Sequence, residues 1–152
     1  MMTEPQSKAG RIGPSTNGHS RSGRAIGVIG IPGDRRDEDQ VEYGAIAARA
    51  FDEIIVREDK NLRGRAPGVS AGNVVDGIRA SRAAGARTLK AEKMLDEMTA
   101  VRMALRRAAP GDLVVCCVDD AIGVYREAMA ASGHARGTTA FADPGELEVP
   151  EG

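Results

Sequence analysis

The sequence predicts an α/β protein of three layers, Rossmann-like, with a mostly parallel sheet and helices on both faces. Three observations carry this. Short apolar runs of strand type alternate along the chain with stretches of helical spacing. Residues 113–118 (LVVCCV) form an unbroken β-branched run, the pattern of a strand buried on both faces. A length of 152 residues suits one domain and leaves no room for a second full one.

The elements follow in order. Residues 25–31 (AIGVIGI) run apolar up to Pro32-Gly33 and read as a buried strand. Tyr43, Ile46, Ala47 and Ala50 recur at i, i+3, i+4 and i+7, marking an amphipathic helix that begins near Asp37. Asp37, Glu38 and Asp39 suit its first turn, where the helix dipole favours negative charge. Residues 53–56 (EIIV) read as the second strand. Ala71, Val74, Val75 and Ile78 repeat the helical spacing, and Gly85 ends that helix. A weaker third strand is expected at residues 87–91. Met94, Met98, Val101 and Leu105 mark a third helix, closed by Pro110-Gly111, and the run 113–118 is the fourth strand. Ile122, Tyr125 and Met129 place a fourth helix after it. This alternation implies parallel strands joined by right-handed crossovers. Residues 1–24 and 133–152 are poor in apolar residues and read as a low-complexity N-terminal tail and a flexible acidic C-terminal one. The organised domain is then expected at residues 25–132.

Composition narrows the function. Lys plus Arg number 21 and Asp plus Glu 22, so the net charge of −1 gives no electrostatic reason to expect nucleic acid or an anionic membrane. Aromatics are 3%, without Trp, which argues against base-stacking platforms. No apolar run approaches the roughly 18–20 residues of a membrane-spanning helix. Cys116 and Cys117 are adjacent on the expected strand, where they face opposite ways and cannot bridge; two free thiols fit a reducing cytoplasm.

In open parallel sheets, ligands gather at the carboxyl ends of the strands. The first such loop is GIPGDRRD (residues 30–37). Gly33 permits close backbone approach, the helix that follows offers free N–H groups, and Arg35 and Arg36 add forks for carboxylate or phosphate. Asp34 stands between them. The plainer alternative is a tight turn with solvated arginines. The second loop, REDKNLRGR (residues 57–65), is dense in charge. Either it is a recognition loop, with Asp59 holding a basic group or Arg63 an acidic one, or it is a solvated loop. Asp119 and Asp120 end the last strand, where they could meet a cation or cap the next helix. Neither a phosphate-binding G-x-x-x-x-G-K-[ST] loop nor a G-x-G-x-x-G fingerprint occurs in these residues. No Cys/His set has metal-ligand spacing, and the two histidines, His19 and His134, lie in the expected tails.

The two loops together carry a resemblance. Residues 27–68, GVIGIPGDRRDEDQVEYGAIAARAFDEIIVREDKNLRGRAPG, closely resemble the C-terminal Mur ligase domain of cyanophycin synthetases, as do Leu95-Asp96-Glu97 and the segment APGDLVV (residues 109–115). The resemblance covers about residues 25–130. It implies a Rossmann-like domain that closes over the central ATPase domain of a larger ligase. Such a ligase adds arginine to a poly-aspartate backbone through an acyl phosphate, with ATP and Mg²⁺. By resemblance, Gly33, Asp34, Arg35 and Arg36 match the glycine-Asp-Arg loop. The stretch from Asp59 to Arg63 matches the Asp-Asn-Pro-Arg loop that contacts the incoming amino acid in peptidoglycan ligases, and Arg65 is a further substrate-binding candidate outside that match. The spacing here is one residue longer and the Pro is replaced. The family's opening Asp-Tyr-(Ala/Gly)-His-Asn-Pro strand has no counterpart beyond Asn17-Gly18-His19, and Asp119 to Gly123 stand where peptidoglycan ligases have Gly-Lys-Gly-His-Glu.

The expectation is a substrate-binding ligase domain, a fragment or a stand-alone unit, that is not catalytic alone. Its expected partners are an amino acid or cyanophycin-like peptide and a separate chain carrying the ligase central domain. No cofactor is expected on this chain alone; ATP and Mg²⁺ belong to the complete ligase. The alternative is a non-catalytic small-molecule or protein-interaction module using Arg35, Arg63 and Arg65. A sheet edge left open by the missing strand would favour a homodimer.

Overall fold

The computed structural model describes residues 23–133. The expected tails fall outside the described residues except for Gly23, Arg24 and Gly133. Eight elements alternate strictly: β1 (Ala25–Ile29), α1 (Asp37–Ala50), β2 (Glu53–Val56), α2 (Val69–Ala83), β3 (Lys90–Lys93), α3 (Glu97–Arg107), β4 (Leu113–Cys116) and α4 (Ala121–Ala131). The strands form one sheet in the order β3-β2-β1-β4, and every pairing is parallel.

Strand periodicity sorts the core into two layers. On one face Ile29, Ile54 and Val56 pack against Ala47 and Ala48 of α1 and against Ala71, Val74, Val75 and Ile78 of α2. On the other, Ile26, Val28 and Ile55 pack against Ala100, Val101 and Ala104 of α3 and Val124 of α4. The three-layer Rossmann-like architecture is therefore present, with helices on both faces of the sheet.

Helix boundaries follow local chemistry. α1 starts at Asp37 with its acidic first turn. The Asp96 carboxylate accepts the Thr99 N–H at the start of α3, and the Asp120 carboxylate accepts that of Gly123 at the start of α4. Gly85, at φ +91°, turns the chain out of α2. The α1–α2 contact is unusually close: a Cβ on Gly77 would lie 1.9 Å from the Val41 carbonyl oxygen, and one on Gly44 2.0 Å from that of Val74.

Several expectations need correction. Met94, expected on the third helix, precedes α3, and the first and fourth strands end two residues short of the expected runs, at Ile29 and Cys116. The third strand lies at Lys90–Lys93, three residues beyond the expected start: Thr88 donates its hydroxyl to the Ala48 and Phe51 carbonyls at the end of α1, and pairing with β2 begins at Lys90. The fourth strand is not buried on both faces. β4 is an edge strand of four residues, with Leu113 exposed and the others half-buried, since α1 and α2 cover only the opposite half of their face.

Candidate functional site at the carboxyl edge of the sheet

The chain runs β1, β2, β3 toward one side and then returns past β1 to place β4, so the topological switch point lies between β1 and β4. A ligand ordinarily enters a parallel sheet there. In this protein a side chain fills the position. The register pairs Ile29 with Val56, which sets Gly30 beside Arg57. A Cβ on Gly30 would meet the Arg57 Nε at 2.7 Å, so the missing side chain makes room for the guanidinium. Arg57 is only 4% exposed. It crosses β1 and donates from Nε and Nη2 to the Cys117 carbonyl, at 3.1 and 2.9 Å.

Three carboxylates close around the Arg57 Nη1: Asp59 at 2.6 Å, Asp119 at 3.1 Å and Glu97 at 3.3 Å. Glu97 also accepts the N–H groups of Asp119 and Asp120, tying the start of α3 to the end of β4. A buried cation with several hydrogen-bonded anions is the arrangement that desolvation demands. Arg57 is the site residue that sequence reasoning missed. Its signal is the register itself, a glycine after one buried strand opposite a long cation after its neighbour.

Outside this plug the two predicted loops meet. Gly33 is buried, and a Cβ there would lie 2.3 Å from the Leu62 carbonyl oxygen. The close approach that glycine permits is thus made by the protein's own second loop. Arg65 clamps the pair: its guanidinium donates to the Gly33 carbonyl, to the Arg35 carbonyl at 2.6 Å, and to the Asp37 carboxylate at 2.6 Å. The base of the second loop is fastened by Glu58, a buried carboxylate that accepts the N–H groups of Gly68 and Ala71 at the start of α2. Gln40, fully buried, accepts from Asn73 at 2.8 Å and donates to Ser70 at 3.2 Å, holding the start of α1 to α2.

The remaining predicted residues separate into inward and outward groups. Asp59 faces Arg57. Arg36 turns back to Asp39 at 2.7 Å, and that guanidinium holds the Asp39 carboxyl below its ordinary range. Asp34 and Arg63 form an exposed pair across the two loops at 3.2 Å, each about half exposed. The Arg63 backbone, at φ +51°, is held by the Asn61 side chain accepting its N–H. Arg35 is exposed, and no hydrogen bond or ion pair of its guanidinium is found among the described residues. Asp34, Arg35 and Arg63 thus form a polar rim on rigid supports.

The buried carboxylates Glu58 and Glu97 are engaged by backbone N–H groups, Glu97 also by Arg57, and no cluster of three or more His, Cys, Asp or Glu placed to hold a metal ion occurs among the described residues. At the end of β4 the adjacent thiols diverge, Cys116 into the α3–α4 layer and Cys117, just past the strand, to the exposed side. Burial, with Cys117 as neighbour, pushes the Tyr43 hydroxyl up to about 12, and burial likewise raises the Cys116 thiol. No helix among the described residues is long and apolar enough to cross a membrane.

The sequence pattern of the family "Mur ligase, glutamate ligase domain" matches residues 15–118. The chain is 45% identical over 93 residues to the cyanophycin synthetases of Crocosphaera subtropica and Synechocystis, covering 61% of this chain and 10% of each relative. It is also 32% identical over 93 residues to the UDP-N-acetylmuramoyl-L-alanyl-D-glutamate–2,6-diaminopimelate ligase of Corynebacterium efficiens, covering 61% of this chain and 18% of that one. The chain spans about a tenth of the length of the cyanophycin synthetases it matches. With its parallel sheet and its two loops joined at the carboxyl edge, the chain belongs to the Mur ligase C-terminal domain family.

Proposed function

We propose that this domain is the substrate-binding wall of an ATP-dependent, amide-forming ligase of the cyanophycin synthetase type, presenting an amino acid or an aspartate–arginine peptide to chemistry supplied elsewhere. One observation carries the reading. The two loops are locked together by Arg65, and their outward groups, Asp34, Arg35 and Arg63, offer one carboxylate and two guanidiniums on one rim. An amino-acid substrate has a cation and an anion of its own, and this rim complements both. Asp34 would hold the cationic group, while Arg35 and Arg63 would hold carboxylates.

Arg57 limits the alternatives. It occupies the crevice where a nucleotide would enter a parallel sheet, and these 152 residues contain no phosphate-binding loop. ATP and Mg²⁺ therefore belong to the ligase's other domains, with this chain completing the site from one side. Amide formation by these residues alone is not expected.

Calorimetry with arginine, an aspartate–arginine dipeptide and ATP tests the reading. Binding of arginine or the dipeptide, weakened at least tenfold in Arg63→Ala, is the expected result. Silence toward both would overturn it and favour the interaction-module alternative, as would tight binding of ATP alone.

A further inference from the structure

The second loop turns on a residue in a conformation that suits it poorly. Arg63 has a φ of +51° and is, among the described residues, the one residue other than glycine with a positive φ. Gly64 follows at φ +86°, and the Arg65 N–H donates to the Leu62 carbonyl at 3.0 Å. Residues 62–65 therefore form a tight turn whose two central residues are both left-handed, the mirror image of the common turn. Glycine, asparagine and aspartate suit such positions, because an ordinary Cβ crowds the following carbonyl oxygen there. Gly64 meets that demand and Arg63 does not. A strained residue that persists in a loop of this kind points to a role for its side chain.

Three contacts hold the turn in this hand. The Asn61 side chain accepts the Arg63 N–H at 3.0 Å, a hydrogen bond reaching two residues along the chain. The Leu62 carbonyl lies against Gly33, where a Cβ would come to 2.3 Å. Arg65, the last residue of the turn, is fixed through its guanidinium to the Gly33 and Arg35 carbonyls and to Asp37. Of the three, only the Asn61 bond acts on Arg63 itself. A turn of the opposite hand would close the same Leu62–Arg65 hydrogen bond but send the Arg63 Cβ in another direction. In the hand observed, the Arg63 Nη1 donates to the Asp34 carboxylate at 3.2 Å, across the two loops.

We infer that Asn61 is a positioning residue of the rim: by holding Arg63 left-handed it places the guanidinium beside Asp34. It thereby sets the spacing between the anion-binding and cation-binding groups that a ligand meets. The inference rests on the reading of Asp34, Arg35 and Arg63 as a substrate-binding rim. Asn61 acts through the Arg63 backbone and not by contact with the substrate.

Two measurements on the full chain test this, the first without a ligand. Asn61 is exposed, so its variants keep the fold by circular dichroism. Solvent exchange of the Arg63 guanidinium N–H groups, read by NMR, reports their pairing with Asp34. Asn61→Ala should speed that exchange at least threefold, toward the rate in Asp34→Ala. Asn61→Asp, which still accepts the Arg63 N–H, should stay near wild type. Unchanged exchange in Asn61→Ala would overturn the inference. The second measurement is calorimetry with arginine. Asn61→Ala should weaken binding at least fivefold, Asn61→Asp should keep it, and in an Arg63→Ala chain Asn61→Ala should weaken it no further. A further loss in that chain would mean that Asn61 meets the ligand directly, and would overturn the positioning role. A wild-type chain silent toward arginine would overturn the reading of the rim, with the exchange rates still deciding for or against Asn61. Urea unfolding reads the backbone: Arg63→Asn should unfold at higher urea than Arg63→Ala, since both lack the guanidinium and only asparagine suits a positive φ. The reverse order would refute the strained turn on which the inference stands.

Discussion

Replacing Arg57 by methionine tests the central feature of the site. The substitution keeps most of the side-chain length over Gly30 but removes the charge. It deletes two hydrogen bonds to the Cys117 carbonyl and leaves Asp59, Glu97 and Asp119 gathered around an uncharged side chain. Breaking a buried ion pair from one side costs about 3–5 kcal/mol, because the partner charges stay desolvated. With a urea slope of about 2 kcal/mol/M, a loss near 4 kcal/mol moves the unfolding midpoint down by about 2 M. Asp59 is less exposed than Asp119, at 13% against 53%, and lacks the backbone N–H groups that Glu97 accepts, so Asp59→Asn in the same chain should recover part of the loss. Urea unfolding of wild type, Arg57→Met and Arg57→Met/Asp59→Asn at pH 7 makes the comparison. An unmoved midpoint in Arg57→Met, or a double variant no more stable than the single one, would refute the account of Arg57 as a charge-balanced plug.

Other consequences are as direct. Gly77→Ala drives a Cβ to 1.9 Å from the Val41 carbonyl, backbone against backbone, and should cost about 3 kcal/mol in urea unfolding by forcing α1 from α2. Arg65→Lys cannot reproduce the fork onto the Gly33 and Arg35 carbonyls; it should lose about 1.5–3 kcal/mol and speed hydrogen exchange in the two loops. The Asp112 carboxyl is held down to about 2 by the Ala109 and Arg24 N–H groups and the Arg24 guanidinium. A carboxyl depressed in the folded state stabilises fully above its unfolded value near 4, and that contribution is lost as pH falls toward 2. Asp112→Asn should therefore lower the urea midpoint at pH 7 and flatten its decline between pH 4 and pH 2.

The helices and the two central strands could be read from the sequence because their burial is local and periodic. Val74, Val75 and Ile78 repeat at helical spacing, and EIIV is apolar wherever it is placed. Strand order is not a local property. An apolar run such as LVVC looks the same whether both faces are covered or not, so the run predicts a strand buried on both faces while β4 lies at the rim of the described sheet, half-buried. The site divides on the same ground. Charge density located both loops, but in REDKNLRGR the sequence does not say which charges turn inward. Arg57, Glu58 and Asp59 do, each meeting an opposite charge or N–H groups that only the folded sheet brings near. Arg65 turns sideways to hold the first loop, and Arg63 stays outward against Asp34. A residue that spends its charge inside the protein has none left for a ligand. The inward set therefore determines the shape of the rim, and Asp34, Arg35 and Arg63 are the charges it leaves facing outward.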